Sequence, residues 1–439
     1  MLAKISDAGN HAIPVERINP MKKFSRYLLL MATLSLLGVL GACGRQTATP
    51  TPAKRTTVTF WHGMTGTSQQ TLNAMIRDFN HSQTQYRVVA SGQGNFANVQ
   101  QKITAAAKSQ TLPTLAQTTY TNVPDYLHGK FIVPLNGYIS KRTLNRIDPT
   151  LRQVSQYQGK TYAMPFSKSI GLLFYNQDLL RQLHLTVPRT WHDLVRDAAK
   201  AHAHGYTGLA LDQTFRPQWS ALACQAGTPL VAKHPRLSSP QMLAATDVIY
   251  QMIKHQTAAT AGTDGFGNVR FLKGKTLFYT GTSAAIGIMQ TNTPKGLHWS
   301  AAKMPSFRGN PRVYAVQGNE LVMFNSASPA QRRGAAALMK FLLAEKQTLK
   351  WAKATGYLPL TTKALRSQDY RNYLAKNPAA QATVKSLPYG KPDTAFYGYS
   401  ETQNAATQVA DELATLQTTP KQGLAQLQRK LTALQTDGE

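Results

Sequence analysis

The chain has 439 residues, of which 42% are hydrophobic, and its 49 Lys and Arg residues outnumber 20 Asp and Glu residues to give a formal net charge of +29. This length exceeds one ordinary core, so we expect two lobes, and the apolar content is ample to bury both, which excludes a disordered chain. The basic residues are scattered rather than packed into one arm, so we favour a surface that lies against anionic lipid and wall polymer over nucleic-acid binding.

The start of the chain has the pattern of an export signal. Lys22, Lys23 and Arg26 precede the apolar run "YLLLMATLSLLGVLGA", which covers residues 27–42. A transmembrane helix needs about 20 apolar residues, and this run is shorter, so we expect a signal sequence over 1–42 that is removed from the mature protein. The polar segment before it is unusual for a signal, and we take Met21 as the hypothetical true start.

The motif "LGAC", which ends at Cys43, resembles the bacterial lipobox. The resemblance implies that Cys43 is acylated on its sulfur and becomes the new N-terminus; a plain secretory signal beside a cysteine is the alternative. Residues 43–56 are rich in Thr and Pro and should form an extended tether. Cys224 is the only other cysteine, so a lipidated Cys43 leaves no intramolecular disulfide, which suits a Gram-positive surface.

The sequence after the tether predicts a βαβ unit. Residues 57–60, "TVTF", alternate polar and apolar side chains like a strand, and apolar residues then recur at helical spacing from Leu72 to Phe79. A second strand-like run, "YRVVA", covers 86–90. A strand, an amphipathic helix and another strand imply a parallel sheet, so we expect an α/β fold.

Other helices follow along the chain. Thr190 and Asp193 have the spacing of a capping Thr and an acid at the start of a helix, and Gly356 is placed to end one. We find no internal repeat and no second apolar run long enough to span a membrane. The remaining predicted helices cover 98–109, 337–355, 404–417 and 421–434.

Catalytic and metal motifs are poorly supported. "GKT" at 274–276 lacks the upstream glycine of a phosphate-binding loop, because position 269 is Val. His202 and His204 are two residues apart, so they do not share a helix face, and no carboxylate or cysteine is near them. A surface hydrolase with His62 as base remains an alternative, but it needs a nucleophile or metal that the sequence does not show. We therefore expect no cofactor, no metal and no catalytic residue.

Aromatic and hydroxyl-bearing residues recur where strands are predicted to end. Together they suggest the walls of a cleft for a polar ligand, in which rings stack on carbon faces and hydroxyls bind oxygens. His62 in "TFWHGM" stands in the first such turn, where it either contacts the ligand or fixes the turn through a backbone hydrogen bond. The other residues of this type are Trp61, Phe96, Tyr120, Ser169, Thr282 and Ser283.

An ordered series of motifs resembles the extracellular solute-binding proteins of bacterial ABC importers. After the lipobox come "FWHGM", "MPFSKSIGLLFYNQDLL", "PRTWHDLVRDAAK", "RFLKGKTLFYTGTSA" and "KATGYLPLT". The likeness covers about residues 57–436, and its motifs are typical of the maltose-type group. Within that group the chain is most similar to glycerol-3-phosphate-binding proteins, on "FWH" followed by Met, "GN" followed by an aromatic residue, and "TGYLP".

The resemblance implies a two-lobed periplasmic-binding-protein-like fold, with parallel-dominated sheets, flanking helices and a cleft that closes by hinge bending. By analogy, lobe one takes 57–166 plus 315–356, and lobe two takes 167–314 plus 357–439. The segments "PFSKS" and "GYLPL" are then hinge crossings that line the cleft.

The resemblance also implies binding residues. The stacking ring falls on Phe96, the cleft serine on Ser169, and the strand-end hydroxyl on Thr282 or Ser283. A backbone-contacting glycine falls on Gly318 and the hinge tyrosine on Tyr357.

Two positions depart from the family pattern. Tyr120 stands where relatives hold glycerol hydroxyls with a glutamate, and Tyr399 lies where an arginine grips the phosphate. Without that bidentate contact, phosphate needs a helix N-terminus and charge from Lys168, Arg216 or His62. If none serves, the ligand is neutral.

We therefore expect a lipid-anchored substrate-binding protein of an ABC transporter, on the outer face of the cytoplasmic membrane. Its best-supported solute is glycerol-3-phosphate or a glycerophosphodiester; a sugar or oligosaccharide is the alternative. The expected partners are the permease subunits, their ATPase and the membrane through the lipid anchor, with no nucleic acid and a monomeric state. An adhesive role of the basic surface can coexist with this function.

Overall fold

The computed structural model describes residues 55–232 and 234–436. The predicted signal sequence, Cys43 and nearly all of the 43–56 tether lie outside these residues. The strands are β1 (Thr56–His62), β2 (Tyr86–Gly92), β3 (Leu115–Thr118), β4 (Gln156–Tyr157), β5 (Lys160–Thr161), β6 (Ala163–Asn176), β7 (Thr207–Leu211), β8 (Ala258–Thr260), β9 (Thr276–Thr282), β10 (Trp299–Lys303), β11 (Tyr314–Met323) and β12 (Gly390–Lys391).

Helices cover both sides of these strands, and short 3-10 turns join several of them. The α-helices are α1 (Gly66–Ser82), α2 (Phe96–Lys108), α3 (Val123–His128), α4 (Lys141–Leu144), α5 (Pro149–Arg152), α6 (Gln177–Gln182), α7 (Trp191–Ala203), α8 (Arg216–Gln225), α9 (Pro240–Lys254), α10 (Gly267–Leu272), α11 (Ala285–Asn292), α12 (Pro329–Leu342), α13 (Glu345–Thr355), α14 (Thr362–Leu365), α15 (Gln368–Ala375), α16 (Pro378–Ser386), α17 (Tyr399–Ala414) and α18 (Pro420–Thr436).

The first three elements confirm the predicted βαβ unit. β1 and β2 pair in parallel from Thr56 opposite Tyr86 to His62 opposite Gly92. The buried residues of α1 begin at Leu72 and end at Phe79, which is the apolar stripe read from the sequence. The hydrophobic stripe therefore fixes which face of α1 packs on the sheet.

The main sheet is mixed, in the strand order β2-β1-β3-β11-β6-β9-β7-β8. Pairs toward the two edges are parallel, as in β1 with β3 and β7 with β9. The central pairs of β11 with β6 and β6 with β9 are antiparallel. β10 pairs with β6 and β12 with β11 outside this order. Long β6 and β11 run through the centre and connect the two parallel regions.

Helix ends show both agreement and error in the predictions. α7 begins with the expected capping box, in which the Thr190 side chain accepts from the backbone of Asp193 and the Asp193 side chain accepts from Thr190. Gly356 ends α13 in the left-handed conformation, with φ 81°. The single helix predicted over 337–355 is wrong: α12 ends at Leu342 and α13 begins at Glu345, with a fully buried Leu343 and an extended Ala344 between them. No Gly or Pro marks this break, so packing overrides helix propensity there.

None of the helices within 55–232 and 234–436 is long and apolar enough to cross a membrane. α17 and α18 begin before the positions predicted for the two C-terminal helices, at Tyr399 and Pro420.

Candidate functional site

Three chain segments meet at Lys168 in the middle of the sheet. Lys168 on β6 lies opposite Gly318 on β11, and its carbonyl accepts a 2.7 Å hydrogen bond from the Leu358 backbone N–H. Gly318 has φ 115°, and a Cβ there would lie 1.8 Å from the Ser167 carbonyl oxygen. Only glycine fits this close crossing. The crossing contains both predicted hinge segments, "PFSKS" and "GYLPL".

The crossing contains a buried ion pair. Lys168 Nζ lies 2.6 Å from Glu320 Oε1, and both side chains are 0% exposed. Burial raises the pKa of the Glu320 carboxyl, and the Lys168 charge and the Tyr120 backbone N–H oppose this rise. The Lys168 ammonium also lies 5.5 Å from the centre of the Tyr120 ring. Its charge is therefore already neutralised inside the protein.

Polar atoms beside this ion pair lack hydrogen-bond partners within the described residues. They are both side-chain polar atoms of Asn319, Ser167 Oγ, Glu320 Oε2 and Gln117 Nε2. Asn319 and Ser167 face each other across β11 and β6. Buried polar atoms normally find a partner, so this crossing is suited to hydrogen-bonding a solute or water.

His62 fixes the turn that follows β1. Its side chain is 1% exposed, and its Nδ1 accepts a 3.3 Å hydrogen bond from the Met64 backbone N–H. Burial lowers the pKa of the imidazole, so His62 is neutral at pH 7 and supplies no positive charge for an anion.

Phe96 lies against the same turn, at the first position of α2. A Cβ at Gly63 would come within 2.9 Å of the Phe96 ring, so glycine is needed for their approach. The Gly63 N–H donates a 3.0 Å hydrogen bond to Gln117 Oε1 at the end of β3. The turn after β1 therefore brings His62 and Phe96 to the carboxyl edge of the parallel strands.

Tyr120 and Tyr399, the two positions that depart from the family pattern, meet at Asp393. The Tyr120 hydroxyl donates to the Asp393 carbonyl, and the Tyr399 hydroxyl donates to Asp393 Oδ2 at 2.7 Å. Asp125 makes two further hydrogen bonds to the segment 393–400. Its Oδ1 accepts from the Gly398 N–H at 2.9 Å, and its Oδ2 accepts from the Ser400 hydroxyl at 3.0 Å. The hydroxyls of Tyr120 and Tyr399 are therefore both used in hydrogen bonds to Asp393.

A small cavity lies between β7, β9 and α8. Its volume is about 30 Å³, and Asp212, Gln218, Thr282 and Gln317 are among its lining residues. A water needs about 10–15 Å³, so the space holds about two or three waters and no sugar or glycerol phosphate. The cavity in this conformation is therefore too small for such a solute.

The polar groups of this cavity are mostly hydrogen-bond acceptors. Gln218 donates its Nε2 to the Thr280 carbonyl at 2.9 Å, which leaves its buried Oε1 without a donor among the described residues. Asp212 Oδ1 accepts from the Gly267 N–H at 3.0 Å and the Tyr279 hydroxyl at 3.1 Å. Burial raises the pKa of the Asp212 carboxyl. This arrangement suits a ligand that brings hydroxyl donors.

Arg216 begins α8 beside this cavity. Its side chain is half-buried and has no carboxylate within 4.0 Å in the described part of the chain. Burial and then the Asp393 charge raise the pKa of the Tyr399 hydroxyl, and the positive charge of Arg216 opposes this rise. Arg216 is therefore a cation close to Tyr399 that is free to bind an anion.

The remaining predicted residues lie near the crossing. Ser169 follows Lys168 on β6, and Ser283 Oγ accepts from the Ile170 N–H at 3.4 Å. Thr282 lines the cavity with Asp212. Tyr357 stacks on Trp351, with ring centres 5.8 Å apart, and burial raises the pKa of its hydroxyl to about 12. Ser283 and Tyr357 thus make structural contacts rather than lining the cavity.

Sequence reasoning missed Asp212, Gln218 and Asp393. Asp212 directly follows the apolar run "GLAL", and the carboxyl end of a parallel strand is where ligands bind in open α/β sheets. That signal was available for Asp212. Nothing local marks Asp393, whose partners Tyr120 and Tyr399 are brought to it by the fold.

Comparisons with known proteins found a matching family model and similar chains. A family model described as bacterial extracellular solute-binding protein matches residues 74–382. The sn-glycerol-3-phosphate-binding periplasmic protein UgpB of Brucella melitensis is 24% identical over 361 residues, which cover 77% of this chain and 82% of that protein.

Solved structures establish the two-lobed fold. UgpB from Mycobacterium tuberculosis in complex with glycerophosphocholine has a TM-score of 0.80 at 17% identity, covering 88% of this chain and 100% of that one. The cyclic alpha-maltosyl-1,6-maltose binding protein from Arthrobacter globiformis has a TM-score of 0.76 at 21% identity, with coverage of 88% and 100%.

Proposed function

Because the chain belongs to the bacterial extracellular solute-binding proteins, we propose that it captures glycerol-3-phosphate or a glycerophosphodiester for an ABC importer. It closes on the solute and presents it to the permease subunits, which a separate ATPase drives. The relative from Brucella melitensis is named as a glycerol-3-phosphate-binding protein, and the Mycobacterium tuberculosis structure holds glycerophosphocholine.

The observation that carries this proposal is the half-buried Arg216, a cation without a carboxylate partner in the described chain, next to a cavity rich in acceptors. Arg216 binds the phosphate, in place of the arginine that this sequence lacks near Tyr399. Asp212 and Gln218 accept hydrogen bonds from the glycerol hydroxyls, in place of the glutamate replaced by Tyr120. An arginine and a phosphate can form paired, charge-assisted hydrogen bonds.

The other two cations considered for phosphate are poorly placed. Lys168 is already paired with Glu320 at 2.6 Å in a fully buried position. His62 has a pKa lowered by burial and uses Nδ1 within its own turn. Of the three basic side chains Lys168, His62 and Arg216, it is therefore Arg216 that is available to bind phosphate.

A neutral sugar is the second candidate. Asp212 and Gln218 form an acceptor-rich cavity wall that is suited to sugar hydroxyls whether or not Arg216 takes part. The binding protein of Arthrobacter globiformis, named for cyclic alpha-maltosyl-1,6-maltose, has the same fold.

The location and the lobes follow from the same proposal. Lipid on Cys43 anchors the protein to the outer face of the cytoplasmic membrane of a Gram-positive cell. Lobe one consists of 57–166 plus 315–356, and lobe two of 167–314 plus 357–439. The lobes separate about the crossing at Lys168 to admit the solute.

Calorimetry with the purified protein tests this function. The panel contains glycerol-3-phosphate, glycerophosphocholine and maltose, and the variants are Arg216→Gln and the matched control Arg308→Gln, which removes an exposed arginine without an ion-pair partner in the described chain. Loss of a charged hydrogen bond of about 1.5–3 kcal/mol predicts at least tenfold weaker phosphate binding for Arg216→Gln. The control should bind like the wild type.

Other results have distinct meanings. Binding of maltose alone, unaffected by Arg216→Gln, favours the sugar candidate. No binding across the panel contradicts the proposed solute class.

A further inference from the structure

A large basic groove lies on the surface formed by the start of α7, the end of β10 and the segment before β11. Its volume is about 800 Å³, and its charged lining consists of Arg189, Arg196, Lys303, Arg312 and the single acid Asp193. Met304 contributes to the wall of this groove and to that of the small cavity, so the two spaces are neighbours. The groove is far larger than the cavity and has room for several linked units of a polymer.

Three of the four cations in the groove are not neutralised by protein acids. Arg196 pairs with Asp197 at 2.8 Å and with Asp193 at 3.4 Å. Asp193 also caps α7, where its Oδ2 accepts from the Thr190 backbone at 3.1 Å. Within the described residues, Arg189, Lys303 and Arg312 have no carboxylate within 4.0 Å. The groove therefore keeps an excess of positive charge.

Aromatic residues, rather than acids, support two of these cations. The Lys303 ammonium lies 4.9 Å from the centre of the Tyr389 ring. The positive charge of Arg312 acts on the Tyr314 hydroxyl, where it opposes the effect of burial, which raises the pKa of that hydroxyl. Both Lys303 and Arg312 are half-buried. Their charges are thus held in place on the groove wall and remain available to an anion.

We infer that this groove binds a single chain of an extracellular polyol phosphodiester polymer. Repeated phosphates along a flexible chain match several fixed cations, and arginine binds phosphate oxygens in paired hydrogen bonds. A flat membrane surface does not fit into a concave groove. The described lining contains no aromatic ring on which a nucleic-acid base can stack, which disfavours single-stranded nucleic acid. This inference concerns a second site and goes beyond capture of a small solute in the cleft.

The test measures the binding of an end-labelled polyglycerol phosphate oligomer to the purified protein by fluorescence anisotropy, over a salt range of about 50–200 mM. The groove variant combines Arg189→Gln, Lys303→Gln and Arg312→Gln. The matched control combines Lys254→Gln, Lys376→Gln and Lys421→Gln, which removes the same charge from exposed side chains elsewhere. Thermal unfolding and calorimetry with the cleft solute show whether each variant is folded.

We expect the groove variant to bind the oligomer at least tenfold more weakly, and to reduce the slope of log affinity against log salt by about 2, since each lost phosphate contact contributes about 0.7 for a flexible strand. The control should change affinity less than about twofold. Solute binding in the cleft should be the same in all three proteins.

Three results overturn the inference. The first is an equal loss in both variants, which indicates diffuse attraction by net charge. The second is the absence of oligomer binding by the wild type. The third is a groove-dependent affinity for anionic vesicles or an oligodeoxynucleotide that exceeds the affinity for the oligomer. If Lys303→Gln and Arg312→Gln unfold the protein, the single variant Arg189→Gln, at an exposed position, is compared with Lys254→Gln by the same measurement.

Discussion

Lys168 and Glu320 form the most deeply buried charged contact among the described residues of the crossing. Removing two ions from water has a large cost, and their attraction and hydrogen bond offset it only while both are present. Glu320 Oε2 has no hydrogen-bond partner within the described residues, so the pair is incompletely satisfied. The ion pair therefore indicates a specific arrangement of the crossing rather than high stability.

Removing one partner should be more damaging than removing both. Lys168→Met leaves an unpaired buried carboxylate and should lower the free energy of unfolding by about 3–5 kcal/mol. The double variant Lys168→Met with Glu320→Leu should recover most of that loss. Urea denaturation measures both, with exposed Lys254→Met as the control. A double variant no more stable than Lys168→Met contradicts the account.

His62 gives the folded protein a pH dependence of known sign. Burial lowers the imidazole pKa in the folded state, whereas the unfolded chain takes up a proton near its ordinary pKa of about 6.5. Stability from this group is therefore complete above about pH 6.5 and is lost as pH falls toward the lowered pKa, with a slope of at most about 1.4 kcal/mol per pH unit.

The variant His62→Asn should remove this part of the pH dependence. Asn keeps an acceptor for the Met64 N–H but does not titrate. Urea denaturation from about pH 8 to about pH 5 should show a shallower fall in stability than in the wild type. Parallel curves for the two proteins would show that His62 is not protonated on unfolding.

At the residue scale, the sequence indicates which side chains can bind a polar ligand, but not which residues they contact in the fold. In the sequence, Tyr120 and Tyr399 stand out as departures from a family pattern, and Arg216 is one of three candidate cations for binding phosphate. Their contacts with Asp393 depend on positions 273 and 6 residues apart in the chain. No local pattern encodes contacts of such different range, so the structure was needed to distinguish Arg216 from Lys168 and His62.

The crossing of β6 and β11 is the element on which the site depends. Gly318 permits these strands to approach because it has φ 115° and no Cβ, and Lys168 lies directly opposite it. The neighbouring β-bulge between Asn319 and Glu320 changes the register there. A local change at this glycine should therefore affect both lobes.

Gly318→Ala should destabilise the protein strongly. Its Cβ would meet the Ser167 carbonyl oxygen at 1.8 Å, in a backbone conformation that alanine rarely adopts. Adding about 1–3 kcal/mol for backbone strain to about 1–3 kcal/mol for overpacking predicts a loss of about 2–6 kcal/mol. Gly137→Ala is the control, since nothing lies within 4 Å of its Cβ position. Equal urea midpoints for the two variants would contradict the role of Gly318.

Elements with a clear hydrophobic period were predictable, and those shaped by long-range packing were not. α1 and α7 follow from the apolar stripe and the capping box in their sequences. The break between α12 and α13 has no Gly or Pro, and Leu343 within it is fully buried. Boundaries set by tertiary contacts are therefore missed by periodicity alone.

At the scale of the whole molecule, the order of motifs in the sequence predicts the two-lobed fold. The family model and the solved structures confirm it, with a TM-score of 0.80 for the Mycobacterium tuberculosis protein. The identity of the ligand is harder to predict from the sequence, because the cavity is lined by side chains from segments as far apart as Asp212 and Gln317.

A crystal structure of the purified protein with glycerol-3-phosphate tests the central claim most directly. We predict a phosphate oxygen within about 4 Å of the Arg216 guanidinium, and glycerol hydroxyls within about 3.2 Å of Asp212 or Gln218. Lys168 should remain paired with Glu320. A phosphate bound by other residues, with Arg216 turned to solvent, would contradict the claim.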